Sequence, residues 1–167
     1  LSNDEIKYVL EIGKKTWDYF DTYINKENNY LPPDNYQEDR TQKIVNRTSS
    51  TNIGLGLLSI VSAYDLGYID LEKLITMLKN MLETIEKLSK WNGHLYNWYN
   101  TVTLQPLMPR YISTVDSGNF IGYLYTLKEF LTHLLINRAN TTNNQTNANA
   151  VGAGLVSAQE NGDKINE

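Results

Sequence analysis

The stretch that decides the fold is Asn52-Ile53-Gly54-Leu55-Gly56-Leu57-Leu58-Ser59-Ile60-Val61-Ser62-Ala63-Tyr64-Asp65-Leu66. Its large apolar residues, Ile53, Leu55, Leu57, Leu58, Ile60, Val61 and Leu66, cover every face of a helix, and small residues fill the gaps between them. A helix apolar all round is a buried one, so 52–66 is predicted to be a helix enclosed on all sides. Gly54 and Gly56 each cost about 1 kcal/mol against Ala in a helix. Their presence implies that something packs very close there. Gly67 reads as the helix stop.

Working outward, Ser2-x-x-Glu5 has capping-box form. Ile6, Val9, Leu10, Trp17, Phe20 and Ile24 then recur near helical spacing, which predicts an amphipathic helix over 4–24. After the central helix, Asp70 caps a third, over 71–90. Leu71, Leu74, Ile75, Leu78, Leu82, Ile85 and Leu88 form its apolar face, and its Lys and Glu residues form a solvated one. A fourth is predicted over 117–137, with Phe120, Ile121, Leu124, Leu127, Leu131, Leu134 and Leu135 on one face. Residues 25–50 and 91–115 read as two long loops, a length that is usually functional or disordered. From 139 the chain turns polar and low in complexity (Asn140-Thr141-Thr142-Asn143-Asn144), and 139–167 is expected to be a disordered tail. The domain is accordingly placed at 1–138.

The composition excludes several classes. Charges are mixed and the net is −4, unlike a nucleic-acid footprint. There is no cysteine, and His94 and His133 alone make no metal site, so neither metal nor cofactor is expected. The longest apolar stretch, 53–63, is shorter than the roughly 20 residues a bilayer span needs. Asn46-Arg47-Thr48 and Asn140-Thr141-Thr142 match the glycosylation sequon and carry little weight without a secretory signal. The chain opens on Leu1 without an initiator Met, and the expectation is a piece of a longer protein.

The order amphipathic helix, loop, apolar helix occurs twice, and Ser50-Thr51-Asn52-Ile53-Gly54 can be set against Ser117-Gly118-Asn119-Phe120-Ile121. Buried inner helices alternating with amphipathic outer ones suggest an all-α array of hairpins. Just before each apolar helix stands a polar cluster: Arg47-Thr48-Ser49-Ser50-Thr51-Asn52 and Ser113-Thr114-Val115-Asp116-Ser117-Gly118-Asn119. Parallel inner helices would bring both clusters, with their free N–H groups, to one rim suited to sugar hydroxyls. Trp98-Tyr99 could stack on sugar faces. Such residues are also the favoured helix caps. Asp116 reads as a cap or a sugar contact in preference to a catalytic carboxylate. Arg47 binds substrate or ties the loop down by pairing with Asp34 or Asp65. His94 makes a loop hydrogen bond or a sugar contact. His133 faces solvent or packs, and Trp17 belongs to the core.

Several motifs in series carry a family resemblance: Leu31-Pro32-Pro33-Asp34-Asn35-Tyr36-Gln37-Glu38, Arg47 through Leu55, Ala63-Tyr64-Asp65-Leu66-Gly67-Tyr68-Ile69, Gly93-His94-Leu95-Tyr96-Asn97-Trp98-Tyr99, and Pro109 through Asn119. Over about Trp17 to Leu131 they resemble the central glycoamylase-like region of the cyclic β-1,2-glucan synthases, which lies between a glycosyltransferase and a phosphorylase-like module. The resemblance implies a bacterial, cytoplasmic domain that cyclises linear β-1,2-glucan by transglycosylation. It implies an (α/α) six-hairpin toroid, with the cleft at the amino-terminal ends of the inner helices; about four of twelve helices are present here. The partners implied are β-glucan and the remaining hairpins and flanking modules of the parent chain. The residues expected to bind substrate are Asp34, Asn35, Arg47, Thr48, Ser49, Asn52, His94, Asn97, Trp98, Tyr99, Asp116, Ser117 and Asn119. Asn100 stands where the family has Asp, and Arg40 and Ser50 where it has Pro. Glycoside chemistry uses a pair of carboxylates. Asp65 lies at the helix end away from the rim, and no Glu occurs at the matched helix starts. The catalytic pair is expected in later hairpins, leaving this piece inactive alone, with apolar surface at its open edges; the alternative is a non-catalytic carbohydrate-binding or scaffold module.

Overall fold

The computed structural model describes residues 1–162, with side chains described through 140. The chain forms two units, Leu1–Leu127 and Lys128–Glu167. In the first, α1 (Asn3–Tyr23) begins at Ser2, whose Oγ accepts from the Glu5 amide while the Glu5 carboxylate accepts from the Ser2 amide. This is the capping box read from the sequence. The central apolar segment is α2 (Ser50–Asp65), capped by Ser49, and it is followed across a turn by α3 (Leu71–Lys87), capped by Asp70. Gly67 takes φ +73° in that turn, a conformation glycine adopts without steric cost.

The fourth helix, α4 (Thr114–Gly162), starts earlier than predicted. Ser113 is the reason: its Oγ accepts from the Asp116 amide at 3.2 Å and its carbonyl from the Ser117 amide at 3.0 Å. Asp116 is therefore not the cap but a residue of the first turn. The helix runs on through the polar stretch read as a tail, to Gly162. Side chains from 141 onward, and all of 163–167, lie outside the described residues. In the second unit Thr132 bonds back to the Lys128 carbonyl, and His133 is exposed, one of its two predicted places.

The core is built around α2. Ile53, Leu57, Ile60 and Ala63 of α2, Leu74 and Met81 of α3, which packs on α2, and Leu31 are all nearly inaccessible. Each full burial of such a side chain is worth about 1.5–3 kcal/mol. The two costly glycines are explained by their neighbours. A Cβ at Gly54 would lie 2.0 Å from the Tyr123 ring of α4, and one at Gly56 would lie 2.7 Å from Met81 and 2.9 Å from Pro32. Enclosure on all sides is corrected, however. Leu55 and Leu66 are 44% and 47% exposed, and Ser62 is exposed beside them. This face of α2 and Gly13, Trp17 and Phe20 of α1 border an open apolar groove of about 330 Å³. No described element covers it.

The two long loops hold more order than predicted. A 3-10 turn, Lys26–Asn28, follows α1. Strand β1 (Arg47–Thr48) immediately precedes α2; β2 (Lys90–Trp91) and β3 (His94–Leu95) pair with each other; β4 (Tyr99–Asn100) pairs antiparallel with β1. Residues 88–90, predicted helical, leave the helix to enter β2. There Lys90 Nζ donates to the carbonyls of Ile85, Glu86 and Leu88 at 2.8–3.1 Å. It satisfies acceptors that a helix end would leave open.

Candidate functional site at the helix amino termini

The polar starts of α2 and α4 meet. Asn119 Nδ2 donates to Thr51 Oγ1 at 3.4 Å, and one turn further on Tyr123 lies against Gly54. Matching contacts in the same chain direction make the two helices parallel neighbours. Their unpaired N–H groups and positive dipole ends share a rim, as the paired sequence clusters predicted.

Asp34 organises the near side of that rim. It follows Leu31, Pro32 and Pro33, which are fully buried, so its backbone is held from beneath. Its Oδ2 accepts from Arg47 Nε and Nη2 at 3.1 and 2.9 Å and from Asn35 Nδ2 at 3.0 Å, and its Oδ1 accepts from Asn52 Nδ2 at 3.0 Å. Arg47 thus pairs with Asp34, not with Asp65, which is exposed at the far end of α2. Charge-assisted bonds of this kind are roughly twice as strong as neutral ones. The Tyr19 hydroxyl donates to the Pro33 carbonyl at 2.8 Å. Burial, with the negative charge of Asp34 and the neighbouring Tyr23 adding to it, pushes its pKa up to about 12.

The pairing of β1 with β4 carries the arrangement across the rim. Arg47 lies opposite Asn100, and its guanidinium sits 4.3 Å from the centre of the Trp98 ring, within cation–π reach. Asn97 is buried. With its amide turned so that both ends are satisfied, its oxygen accepts from Trp98 Nε1 and the Tyr111 hydroxyl, each at 2.6 Å, and its nitrogen donates to Asp116 Oδ2 at 3.1 Å. Asp34, Arg47, Trp98, Asn97 and Asp116 therefore form one continuous chain of contacts. Tyr111, which joins it, was not singled out in the sequence. Asn97 stands in a bend just before β4, where no periodic pattern marks it as inward-facing.

Other predicted site residues stand elsewhere. Tyr99 is not a stacking surface: it is fully buried, its hydroxyl donates to the Ser89 carbonyl at 2.6 Å and accepts from the Tyr96 amide at 2.7 Å, and burial pushes its pKa up to about 12. Thr48 is also fully buried, and Ser49 is committed to capping α2. These three belong to the support of the rim and offer a ligand no surface. Thr48 Oγ1 and Asn35 Oδ1 are buried without a partner. One face of the half-buried Trp98 is taken by Arg47, so that face is not free to stack on a sugar. His94 is exposed and, with Ser50, Ser117 and Phe120, lines a separate recess of about 300 Å³. Among the described residues no three His, Asp or Glu side chains cluster as metal ligands would.

The expectation that α4 is a second buried inner helix is corrected: among its described residues only Leu127 is buried, and Ile121 and Tyr125 are exposed. A helical core built on the buried α2, with polar loops gathered at the amino ends of the parallel α2 and α4, fits the glucoamylase-like (α/α) toroid class. Solved structures agree. A glucoamylase-like protein from Bacteroides fragilis superposes with a TM-score of 0.61 and 21% identity. An endo-β-1,2-glucanase from Chitinophaga pinensis, in complex with sophorotriose and glucose, gives 0.60 and 21%. Each match covers 74% of this chain and 30% of the other. No protein-family model matches the chain. In sequence it is 46% identical over 124 residues, 74% of its length, to the cyclic β-(1,2)-glucan synthase NdvB of Rhizobium meliloti (strain 1021). Over that stretch the chain is similar to a cyclic β-(1,2)-glucan synthase, the family its motifs resemble. It spans 4% of that relative's length.

Proposed function

We propose that this segment forms one wall of the glucan cleft in a domain that remodels β-1,2-linked glucan, cyclising the linear chain by transglycosylation within a cyclic β-1,2-glucan synthase. The single observation that carries the reading is the contact chain from Asp34 to Asp116 along the amino ends of α2 and α4. It holds an indole face, amides and carboxylates in fixed relation, and pyranose rings need that combination of stacking and directed hydrogen bonds. The 46% match to a cyclic β-(1,2)-glucan synthase supports the linkage. The remaining hairpins and flanking modules of a parent chain would be its partners. Among the described residues no helix is long and apolar enough to cross a membrane.

A non-catalytic role for this segment is favoured by one detail. Both Asp34 oxygens are occupied by Arg47, Asn35 and Asn52, which leaves Asp34 a scaffold and Asp116 the freer carboxylate. The acid and base of a glycoside reaction would then come from outside it. Calorimetric titration of the chain with β-1,2-gluco-oligosaccharides tests the reading. Binding that weakens at least about ten-fold, or 1.4 kcal/mol, in Trp98→Ala is expected. A flat titration of the unaltered chain would count against a cleft wall. Incubation with linear β-1,2-glucan should give no cyclic product.

A further inference from the structure

We infer that a second polar groove, on the outer side of the β1–β4 ribbon, carries a further stretch of the same glucan chain. This deepens the cleft reading and rests on it. The groove holds about 550 Å³ and is lined chiefly by Gln37, Arg40, Thr41, Gln42, Asn46 and Asn100, a size within the roughly 300–1,000 Å³ of small-molecule sites.

One wall is a hairpin with its own supports. Tyr36 and Ile44 form an antiparallel bridge, and the Gln37 amide donates to the Lys43 carbonyl at 2.7 Å. The Tyr36 ring stacks on Tyr23 of α1 at 6.2 Å, and Lys43 sits 5.7 Å from the Tyr36 ring centre. The opposite wall is the ribbon. Thr101 donates its amide to the Asn46 carbonyl at 3.2 Å, and Asn100 Oδ1 accepts the amides of Val102 and Thr103 at 2.9 Å. Those bonds leave the Asn100 amide nitrogen available to a ligand. Both walls are thus built before any ligand arrives, which lowers the cost of binding.

The lining selects the ligand class. Side-chain amides each present donors and an acceptor, matching the hydroxyls of a neutral sugar, which do both. Arg40 is the one charge among the lining residues, too few for a polyanion. No aromatic ring lines the groove, so a planar heterocycle would find nothing to stack on. Position ties it to the rim: Asn46 precedes Arg47 in the chain and Asn100 pairs with Arg47 across the ribbon. Arg47 in turn covers Trp98. A glucan leaving the indole passes along the ribbon into the amides.

The test uses the intact chain, a short ligand (β-1,2-linked di- or trisaccharide) and a long one (octasaccharide or longer). The long ligand should bind at least about three-fold tighter than the short one. Gln42→Ala/Asn46→Ala should abolish that preference, leave the short ligand's affinity unchanged, and keep an unaltered melting curve. Trp98→Ala should weaken both ligands. Equal affinity for the two lengths, or a length preference that survives the double variant, overturns the groove while leaving the cleft reading in place. Binding of the long ligand alone, lost in the double variant, supports the groove. Failure of both ligands to bind overturns both proposals.

Discussion

Tyr99 shows how a single residue changes meaning between sequence and structure. Beside Trp98 it reads as half of a stacking pair; in the fold it is a fully buried strut whose hydroxyl joins Ser89 to Tyr96. Burial favours the neutral phenol, so its pKa rises from about 10 to about 12. The unfolded chain releases this proton at about 10 while the folded one keeps it. Stability is therefore unaffected by this group below pH 10, falls as pH rises from 10 to 12, and levels off above. Tyr19 acts in the same direction. Tyr99→Phe should lower stability at pH 8 by about 1–2 kcal/mol through the lost hydrogen bonds. Between pH 10 and 12 its stability should fall less steeply, by about one proton's worth of slope. Urea midpoints at pH 8, 10, 11 and 12 measure both effects. Arg47 was legible as a residue that binds substrate or pairs with Asp34 or Asp65; the structure selects Asp34, a choice that depends on how the loop folds back.

At the scale of the element, the glycines of α2 were legible as close-contact positions but their neighbours were not. Nothing local to Gly54 names Tyr123, which comes from a helix beginning sixty-odd residues on. Gly54→Ala gains about 1 kcal/mol in helix propensity, yet its methyl meets an aromatic ring at 2.0 Å. Overpacking costs about 1–3 kcal/mol, so the expected result is a net loss of stability and a displaced Tyr123. Gly118→Ala, in α4 with nothing within 4 Å, should gain up to about 1 kcal/mol. Opposite shifts of the two urea midpoints would establish the difference; shifts of the same sign would mean that α4 does not hold Tyr123 against α2. The four α-helices were readable as helices from periodicity and caps; the 3-10 turn and the helical continuation beyond 139 were not. The ends of α3 and α4 were not, because they depend on β2 pairing and on Ser113, which are tertiary and side-chain choices.

For the molecule as a whole, the first unit carries several exposed large apolar side chains. Ile6, Val9, Leu10 and Ile12 of α1, Leu55 and Leu66 of α2, and Ile121 and Tyr125 of α4 are all more than 40% exposed. Large exposed apolar patches drive association. The isolated chain should bind a hydrophobic dye and elute as a concentration-dependent mixture of sizes. Leu55→Lys/Leu66→Lys should reduce both effects without shifting its helical circular dichroism. Monodisperse, dye-silent protein would contradict the exposure seen here. The candidate site was legible in its ingredients, since both polar clusters precede apolar helices. Their joining through Asn97 and Trp98 was not, because it depends on side-chain contacts between two loops and α4 that leave no periodic signal.

The Lys90 ammonium, with its three donors placed on the carbonyls of Ile85, Glu86 and Leu88 at the carboxyl end of α3, has a chemical consequence. For an acylating reagent to reach that nitrogen, the nitrogen must first leave all three acceptors and uncover the carbonyls at the helix end. Lysine labelling followed by mass spectrometry should find Lys90 modified late, well after the exposed Lys15 and Lys79, and losing its lag once the chain is unfolded.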